Sequence, residues 1–521
     1  MHSGAIRHIV IAGGGSAGWL SAALIAAQHQ EQDGNPGLQV TLIESPEVPS
    51  IGVGEGTWPS MRATLQKIGV SEADFIRECD ASFKQGSRFN GWRTGNTEGQ
   101  GTDFYYHPFT LPQGEGEADL IAAWQHGYAD KPFAEVVCPQ PELCLQGKAP
   151  KQFTTPEYAA VASYGYHLDA VKLGLFLRKH CVENLGVRHI SDHILSVSSH
   201  ENGDIAALQT RHNGAVSGDL FIDCTGMQSM LLGQHYGIAF LPQKHVLFND
   251  TALAVQIPYP NVDAPIASAT LSTAQQHGWI WDIGLPTRRG IGYVYSSAHG
   301  SDQQAELALR AYVARNGGPS DIATPRKLSF NPGYRQQFWH RNCVAIGLSA
   351  GFIEPLEASA LVMVELSVAL LSEQMPTTRA TMDILAKRFN DTFTYRWERV
   401  IDFLKLHYVL TQRTDTDYWR DNCRPESIPA TISELLALWR HHNPSRNDFV
   451  RIAELFPAVS YQYILYGMGF KTEAAVLTPA TTQRSATYIR DAAVLKDKMV
   501  AGLPSNRELI RHIVQHGMHK I

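Results

Sequence analysis

Three glycines near the start of the chain have the spacing of a phosphate-binding turn. Gly13, Gly15 and Gly18 stand between an apolar strand-like segment and an apolar helix-like segment. In such a turn the first glycine permits a tight bend, the second lets the backbone approach a pyrophosphate, and the third lets the helix pack closely on the strand. Glu44 ends the next strand-like segment, where a carboxylate can accept hydrogen bonds from ribose hydroxyls. The pattern therefore predicts a bound dinucleotide.

The elements that must position this turn form a βαβ unit. Apolar periodicity predicts a strand over 6–12, a helix over 16–29 and a second strand over 38–44. Residues 216–229 and 342–371 each contain a further strand pattern followed by a turn, and we expect these strands to join the same sheet. The predicted fold class is α/β, with a Rossmann-type sheet around the glycine turn.

The rest of the chain differs in composition from this nucleotide-binding part. Residues 81–165 and 240–325 are richer in aromatic, proline and β-branched residues, which favours an added antiparallel sheet layer that covers the cofactor and shapes a substrate cavity. From residue 376 onward, Glu, Arg, Leu and Trp recur at helical spacing. We therefore expect a module over 1–375 that carries the two insertions, and a helical C-terminal region over 376–521 packed on it.

The composition excludes several classes of protein. The chain has 521 residues, of which 44% are hydrophobic and 18% are charged, as in ordinary globular proteins. Its net charge of -6 is spread without long acidic or basic blocks, which argues against nucleic acid or a membrane surface as a partner. The apolar run over 9–27 has the length of a membrane span, but its glycine triplet, 13–15, indicates a buried strand, a turn and a helix instead.

The cysteines indicate a reducing compartment. The seven cysteines are scattered along the chain, with neither a Cys-x-x-Cys pair nor the Cys/His spacing of a metal site. We therefore expect free thiols, no bound metal and a cytoplasmic location.

Two further stretches resemble the flavin-dependent tryptophan halogenase family, and the resemblance extends over nearly the whole chain. The stretch IGVGEGTWP (51–59) is similar to the loop that lines the isoalloxazine side of FAD in that family. The stretch SFKQGSRFNGW (82–92) places Lys84 where the family has its catalytic lysine. A lone lysine is usually exposed, but the neighbouring aromatics Phe83 and Phe89 favour a buried amine here.

Two more stretches carry the same resemblance. The stretch GWIWDIGLP (278–286) is similar to the family's Trp-x-Trp-x-Ile-Pro signature, with Trp279 and Trp281 matching and the proline displaced by two residues. Taken alone, the two tryptophans fit equally well on one face of a core strand. The stretch GFIEPLEASAL (351–361) resembles the segment that joins the cofactor and substrate pockets, and it places Glu357 at the family's catalytic glutamate.

The chain departs from the family directly after Glu357. Family members continue with Ser-Thr-Gly, whereas this chain has Ala358, Ser359 and Ala360. The resemblance implies a halide held by backbone amides of this turn, here those of Ser359 and Ala360. An alanine can still donate its N–H, but unlike glycine it tolerates a positive φ poorly. We therefore expect a reshaped halide site.

The resemblance implies a halogenase with a monooxygenase-like, FAD-binding fold. Oxygen and reduced FAD, which a separate flavin reductase supplies by diffusion, oxidise chloride or bromide to hypohalous acid. Lys84 then either hydrogen-bonds this acid or forms a haloamine, and the sequence does not choose between the two. Glu357 aligns the oxidant and stabilises or removes the proton of the ring intermediate. The expected substrate is a small electron-rich aromatic compound such as an indole.

The resemblance also implies a set of binding residues. Those expected to hold FAD are Gly13, Gly15, Ser16, Ala17, Gly18, Glu44, Gly54, Glu55, Gly56, Thr57, Leu348 and Ile353. Those expected to contact the substrate are His107, Phe109, Trp279, Trp281 and Phe456. Among these, His107 and Phe109 match positions where the family stacks the substrate ring, and the tryptophans would separate the substrate from the flavin.

One stretch argues against free tryptophan as the preferred substrate. Tryptophan-specific members hold the amino acid with an aromatic pair, typically Phe-Trp, and with an acidic residue a few positions earlier. In the closest stretch of this chain, VRIAELFPAVSY (450–461), Leu455 and Phe456 stand at the pair. Arg451 falls near the position of the acid, although a shifted register would bring Glu454 there. We therefore expect indole or an indole derivative to be preferred.

Two other functions stay open. A flavin-dependent aromatic monooxygenase would share the fold and hydroxylate its substrate, but Lys84, Glu357 and the tryptophan pair argue against it. A catalytically silent flavin-binding protein is supported only by the departure at residues 358–360. A homodimer is also left open.

Overall fold

The computed structural model contains the predicted βαβ unit. The described residues are 4–31, 37–47, 54–97, 103–451, 454–473 and 478–520. Strand β1 spans His8–Ala12, helix α1 spans Ser16–Gln28 and strand β2 spans Gln39–Glu44. Helix α1 is buried at every position from Gly18 to Ala26, which explains why its sequence is apolar on all sides. Among the described residues, no helix is both long enough and apolar enough to cross a membrane.

Further strands and helices follow along the described chain. The strands are β3 (Glu55–Gly56), β4 (Ser82–Lys84), β5 (Gly86–Asn90), β6 (Phe104–Pro108), β7 (Gly165–Leu168), β8 (Arg188–Ser191), β9 (Ile194–Ser199), β10 (Ile205–Thr210), β11 (Ala215–Ser217), β12 (Leu220–Asp223), β13 (Phe240–Pro242), β14 (Thr251–Pro258), β15 (Thr270–Ala274), β16 (Gly278–Gly284), β17 (Arg288–Tyr295), β18 (Arg326–Ser329), β19 (Gly333–Arg335), β20 (Trp339–His340), β21 (Cys343–Ala345) and β22 (Gly351–Phe352). The helices are α2 (Ser60–Lys67), α3 (Glu72–Glu78), α4 (Leu120–Gly127), α5 (Phe133–Val137), α6 (Gln140–Leu145), α7 (Ala170–Asn184), α8 (Asp302–Arg315), α9 (Ser359–Glu373), α10 (Arg379–Val409), α11 (Asp417–Asn422), α12 (Ala430–Trp439), α13 (Ala458–Gly467), α14 (Pro479–Gly502) and α15 (Asn506–His516). After β22 the described part of the chain forms helices and no further strand, in line with the predicted helical C-terminal region.

The chain divides into two compact units, each assembled from three separate segments. The first unit comprises Met1–Asp80, Leu168–Gln243 and Asn331–Glu398. The second unit comprises Ala81–His167, Lys244–Phe330 and Arg399–Ile521. The predicted boundary at residue 376 stays a prediction.

The main sheet of the first unit has the strand order β20-β21-β12-β1-β2-β8. Its strands run parallel, apart from β20, which pairs antiparallel with β21. Ile9 of β1 pairs with Leu220 of β12 on one side and with Val40 of β2 on the other. Because the carboxyl ends of parallel strands meet at one edge, the residues that follow β1, β2 and β12 lie together there. Strands β12 and β21 confirm that the later strand patterns join the nucleotide-binding sheet.

The main sheet of the second unit has the strand order β18-β14-β17-β16-β15-β5-β6. Its pairs are antiparallel except for β15 and β5, which run parallel, with Thr270 opposite Ser87. These two strands come from separate segments of the chain, so no hairpin sets their relative direction. The predicted α/β fold class, with an added and mainly antiparallel sheet, is confirmed.

Helix α9 of the first unit carries a buried carboxyl group. Glu365 is 3% exposed, and its side chain accepts hydrogen bonds of 3.2 Å from the hydroxyl of Ser60 and 2.6 Å from the hydroxyl of Thr64. Burial raises the pKa of Glu365 from 4.5 to about 7, although the two hydroxyl groups act in the opposite direction. The folded protein therefore binds this proton more tightly than the unfolded chain does.

We predict that Glu365 makes the stability of the protein fall as the pH rises. Its contribution to the free energy of unfolding is fully present below pH 4.5 and is lost as the pH rises from there through about 7. The whole loss amounts to about 3 kcal/mol. Glu365→Gln keeps a neutral group at this place and should remove the loss. Thermal unfolding of both proteins across this pH range measures the difference. The control is Glu373→Gln, at an exposed carboxyl on the same helix; a gap between wild type and Glu365→Gln that stays constant with pH would contradict the prediction.

Candidate active site

Glycines after β1 allow backbone segments to approach closely. Gly13 has a φ of +107°, and a Cβ atom on it would lie 2.2 Å from the carbonyl oxygen of Cys224. A Cβ atom on Gly18 would lie 1.9 Å from the carbonyl oxygen of Gly13. These two positions require glycine, because any side chain would overlap the backbone. By contrast, a Cβ atom on Gly15 would meet no described atom within 4 Å, so Gly15 faces open space.

The first turn of α1 presents backbone donors beside Gly15. The helix begins at Ser16, its N-cap residue is Gly15, and no described side chain caps it. The amides of Ser16 and Ala17 therefore lack partners within the helix, and the helix dipole adds a partial positive charge. This arrangement suits an anion such as a pyrophosphate.

Glu44, at the end of β2, lies among groups that favour its ionised form. Its Oε1 atom lies 2.9 Å from Nε2 of His189 and 3.4 Å from Nη1 of Arg178. Its Oε2 atom accepts a hydrogen bond of 3.2 Å from Nε1 of Trp19. Burial alone would raise the pKa of Glu44, but these neighbours outweigh it and lower the pKa. Because each carboxylate oxygen can accept more than one hydrogen bond, Glu44 can also bind ribose hydroxyls. The glycine turn, the helix amides and Glu44 together fit a dinucleotide.

Four other residues predicted to hold FAD are consecutive in a segment of the first unit. Gly54 has a φ of +103°, Glu55 and Gly56 form β3, and Thr57 is buried. Residues 51–53, which belong to the same stretch of sequence, lie outside the described residues. The contact of this segment with FAD stays a prediction.

Leu348 and Ile353 complete the predicted FAD set. Leu348 lies in a helical turn that packs closely on α1, because a Cβ atom on Gly347 would lie 2.6 Å from Cβ of Ala17. Ile353 follows β22 and is buried. The structure therefore brings the turn of Leu348 to the start of α1, where the pyrophosphate is predicted.

Glu357 lies in the turn that precedes α9. It is 3% exposed, and its carbonyl oxygen accepts a hydrogen bond of 2.7 Å from Nε1 of Trp58. Ala358 adopts a left-handed conformation with φ +53°, whereas Ser359 and Ala360 form the first turn of α9. The positive φ is therefore at Ala358 and not at Ala360, because the helix begins at Ser359. The amides of Ser359 and Ala360 lie at a helix N-terminus without a side-chain cap among the described residues, which suits an anion.

Lys84 lies at the end of β4 in the second unit. This strand pairs antiparallel with β7, where Lys84 lies opposite Gly165. Gly165 has no side chain to contact the lysine across the strand pair. Lys84 is 1% exposed, and its Nζ atom lies 5.2 Å from the centroid of the Phe109 ring, within the range of a cation–π contact. The amine is thus buried and faces a residue predicted to stack on the substrate.

His167 shares the environment of Lys84. It lies opposite Ser82 in the same strand pair, so its side chain points to the same face as that of Lys84. Its Nε2 atom is hydrogen-bonded to the hydroxyl of Thr270 at 2.8 Å. Burial and then the charge of Lys84 lower the pKa of His167 well below 6.5. The imidazole is therefore neutral and adds no second positive charge beside the amine.

Trp279 and Trp281 lie on one face of β16. Their ring centroids are 6.4 Å apart, and both side chains are buried. Trp279 also lies 6.4 Å from Trp92. These contacts agree with the interpretation that the two tryptophans are neighbours on a core strand. Their contact with the substrate stays a prediction.

His107 and Phe456 both contact Phe403 of α10. The His107 ring lies 5.6 Å from the Phe403 ring, and the Phe456 ring stacks on it at 3.7 Å. Nε2 of His107 is also hydrogen-bonded to the hydroxyl of Ser460 at 2.9 Å. Phe456 is buried, so one face of its ring is already covered by a ring of the protein.

Sequence patterns do not identify two members of this aromatic group. Phe403 and His407 lie one turn apart on α10, with ring centroids 5.6 Å apart. Nδ1 of His407 is hydrogen-bonded to the hydroxyl of Tyr105 at 2.7 Å, and the ring lies 5.9 Å from Trp92. A pair at this spacing is ordinary on the buried face of a helix, so no signal in the sequence singles it out. Phe403 contacts His107 and Phe456, and His407 contacts Trp92, which in turn contacts Trp279. These two rings therefore connect the aromatic residues that are predicted to face the substrate.

The predicted site residues divide between the two units. Those expected to bind FAD and the halide belong to the first unit, as does Glu357. Lys84 and the residues expected to contact the substrate belong to the second.

Known proteins resemble this chain over nearly its whole length. The tryptophan 6-halogenase SttH of Streptomyces toxytricini is 31% identical over 528 residues, which cover 96% of this chain and 97% of the relative. A crystal structure of a tryptophan halogenase from Shewanella frigidimarina matches with a TM-score of 0.96 and 49% identity, and the match covers 99% of both chains. BrvH, a flavin-dependent halogenase from Brevundimonas sp., matches with a TM-score of 0.83 and 34% identity, over 98% of this chain and 99% of that one.

A model of one protein family also matches most of the chain. The family is described as tryptophan halogenase, and the match spans residues 8–483. This range includes the glycine turn, the strand of Lys84, the tryptophan strand and the turn of Glu357. The chain therefore belongs to the tryptophan halogenase family of flavin-dependent enzymes.

Proposed function

We propose that this enzyme uses reduced FAD, oxygen and chloride or bromide to form hypohalous acid, which reacts at Lys84 to halogenate an aromatic substrate. The proposed substrate is indole or an indole derivative rather than free tryptophan. The observation that carries the proposal is the buried amine of Lys84 beside the ring of Phe109. An amine in this position can hold an electrophilic halogen next to a stacked aromatic ring.

The first unit supplies the groups for FAD and the halide. When bound, reduced FAD supplies the activation of oxygen that oxidises the halide. The amides of Ser16 and Ala17 would bind the pyrophosphate, and the ionised Glu44 would bind the ribose. The amides of Ser359 and Ala360, at the start of α9, would bind the halide.

Lys84 acts at its Nζ atom by one of two routes. As an ammonium group, it donates a hydrogen bond to the oxygen of hypohalous acid and makes the halogen more electrophilic. As a neutral amine, it attacks the halogen, forms an N–halogen bond and releases water. The neutral ring of His167 supports either route, because it places no competing charge beside the amine.

Glu357 serves the same reaction as a proton acceptor. Addition of the halogen to an aromatic ring leaves a cation, which becomes aromatic again when a ring proton leaves. A carboxylate that is 3% exposed can take this proton without competition from bulk water.

A separate flavin reductase is the proposed source of reduced FAD. The sequence contains one glycine-rich dinucleotide fingerprint, at residues 13–18, which accounts for one dinucleotide rather than for FAD and a nicotinamide together. The seven cysteines are free thiols, which supports a cytoplasmic location for this protein.

The contacts around residues 451–456 support a substrate without an amino-acid group. Arg451 stands near the position of the family's acidic residue, and its backbone N–H donates a hydrogen bond of 3.2 Å to Oε1 of Glu454. Phe456 stacks on Phe403. Residues 452 and 453 lie outside the described residues. A cationic residue near the position of the acid favours a neutral indole over the ammonium group of a zwitterion.

We predict that Gly15→Ala weakens FAD binding without destabilising the protein. Gly15 has φ −74° and ψ −176°, which alanine adopts readily, and its new Cβ atom would enter the open space proposed for the pyrophosphate. The expected loss of affinity is at least about tenfold. Titration of the apoprotein with FAD measures the affinity, and thermal unfolding measures the stability. Gly18→Ala is the matched control, because its Cβ atom would overlap the backbone and should lower the stability itself. Unchanged FAD affinity in Gly15→Ala would argue against a pyrophosphate at this turn.

We predict that Lys84→Met abolishes product formation while hypohalous acid is still made. The substitution keeps the volume of the side chain and removes the amine, which acts only after the oxidant has formed. Glu357→Gln should lower turnover by about a hundredfold, as expected for the loss of a general base. A soluble scavenger measures hypohalous acid, and mass spectrometry measures the product. The control is Lys148→Met, whose amine donates to the carbonyl of Leu503 at 3.0 Å. Near-normal product formation by Lys84→Met would refute the role of the amine.

We predict that the kcat/KM for indole is at least about thirtyfold higher than that for free tryptophan. This factor corresponds to a cost of about 2 kcal/mol for leaving the ammonium group of tryptophan unpaired. The reaction contains FAD, a flavin reductase, NADH and bromide, and a parallel reaction without halide is the control. The expected product carries bromine at the most nucleophilic ring carbon, C3 of indole. A hydroxylated product that forms without halide would indicate a monooxygenase instead. Faster conversion of tryptophan, with halogen on its benzo ring, would reveal an amino-acid clamp.

A further inference from the structure

Two buried glutamine side chains lie directly behind the strand of Lys84. Gln85 follows Lys84 in the chain, Gln140 begins α6, and both residues are 0% exposed. Nε2 of Gln140 donates to Oε1 of Gln85 at 3.3 Å and to the carbonyl oxygen of Ser163 at 2.6 Å. Oε1 of Gln140 accepts a hydrogen bond of 2.7 Å from the backbone N–H of Thr110. Both ends of the Gln140 amide are therefore engaged.

Gln85 extends this network to the residue beside Thr110. Its backbone carbonyl oxygen accepts a hydrogen bond of 3.1 Å from the backbone N–H of Phe109. Its Nε2 atom donates to the carbonyl oxygen of Lys148 at 2.7 Å, and its own backbone N–H donates to the carbonyl oxygen of Ser268 at 2.7 Å. Two successive backbone amides, those of Phe109 and Thr110, are thus bound by the two glutamines.

The network holds the turn that carries the Phe109 ring. That ring lies 5.2 Å from Nζ of Lys84, and Gln85 is joined to Lys84 by a peptide bond. The ring and the amine are therefore tied to one rigid set of hydrogen bonds. Buried polar groups that are fully satisfied restrict the backbone to a single arrangement, which an apolar core side chain would not do.

We propose that Gln140 is a positioning residue that sets the distance between the Phe109 ring and the Lys84 amine, and so decides which substrate carbon receives the halogen. The proposal rests on the halogenase function proposed above. A ring stacked on Phe109 presents its carbons to Nζ according to where the turn holds Phe109. Displacement of reacting groups by about 1 Å can cost up to about a hundredfold in rate.

Two substitutions separate positioning from packing. Gln140→Leu removes both hydrogen-bonding ends. Gln140→Glu keeps the acceptor for Thr110, but in its ionised form it faces the carbonyl oxygen of Ser163 and Oε1 of Gln85 with an oxygen. When protonated, this carboxyl regains one donor, and burial favours the protonated form. Its effect should therefore diminish as the pH falls.

Two titratable groups that contact the carbonyl oxygen of Thr110 stay neutral over this range. The carbonyl oxygen of Thr110 accepts hydrogen bonds from Sγ of Cys138 at 3.5 Å and from the hydroxyl of Tyr463 at 3.0 Å. Burial raises the pKa of Cys138 to about 12 and raises that of Tyr463 well above 10. A pH-dependent change that appears in Gln140→Glu and not in the wild type therefore comes from the introduced carboxyl group.

The experiment compares wild type, Gln140→Leu and Gln140→Glu with 3-methylindole and bromide, in the presence of reduced FAD and oxygen. This probe has a blocked C3 atom, so several ring carbons compete for the halogen. The control is Gln146→Leu, which removes an exposed hydrogen bond to Glu142 just after the same helix. The readouts are kcat, KM, the ratio of brominated isomers and the thermal unfolding temperature, with the isomer ratio from free hypobromous acid as a reference.

Gln140→Leu should lower kcat by about tenfold, leave KM within about threefold, and move the isomer ratio toward that of free hypobromous acid. The kcat and the isomer ratio of Gln140→Glu should resemble those of Gln140→Leu at about pH 8 and return toward the wild-type values at about pH 6. An isomer ratio that stays at the wild-type value in both variants overturns the proposal, whatever happens to stability. If Gln140→Leu does not fold, Gln140→Glu decides alone, and an isomer ratio independent of pH overturns the proposal. If the wild type forms no brominated product, the proposed function itself fails, together with this inference.

Discussion

The buried amine of Lys84 needs neighbours in the second unit that compensate for its lost hydration. At 1% exposure a protonated amine loses most of its hydration, which costs roughly several kcal/mol unless neighbouring groups compensate. The ring of Phe109 offers its electron-rich face, and Gly165 places no side chain opposite the lysine on the paired strand. Burial and the charge of Lys84 lower the pKa of His167, so its ring adds no charge beside the amine. A strand of three residues can therefore carry a buried amine because distant segments of the chain build its environment.

The first unit offers backbone amides, rather than a buried amine, at its proposed binding sites. Helices α1 and α9 both begin without a side-chain cap among the described residues, and both present the amides of their first turn. Backbone amides bind an anion without a lysine or arginine that would compete for the oxidant or for protons. The carboxyl edge of a parallel sheet is where such helix starts collect, so the fold itself supplies the proposed FAD site.

Much of the fold could be predicted from the sequence, since the signals for it are local. The glycine turn and its flanking strands occur as expected, with β1 at His8–Ala12 and β2 at Gln39–Glu44. The family resemblance is confirmed, as is the α/β fold class. The parallel pairing of β5 with β15 could not be predicted, because nothing in one strand specifies the direction of a partner far along the chain. The positive φ at Ala358 could not be predicted either, because it depends on where α9 begins.

The sequence by itself determined which chemistry this protein can carry, because a motif such as Gly13-x-Gly15-x-x-Gly18 or the segment around Lys84 keeps its chemical groups within a few residues. Only the tertiary structure decided the state and the neighbours of those groups. His189, Trp19 and Arg178 lower the pKa of Glu44, and Phe456 is stacked on Phe403. The backbone N–H of Thr110, next to Phe109, is bound by Gln140. The pKa of a buried group and the position of a ring depend on all the atoms packed around them, and those atoms come from segments that only the folded chain brings together.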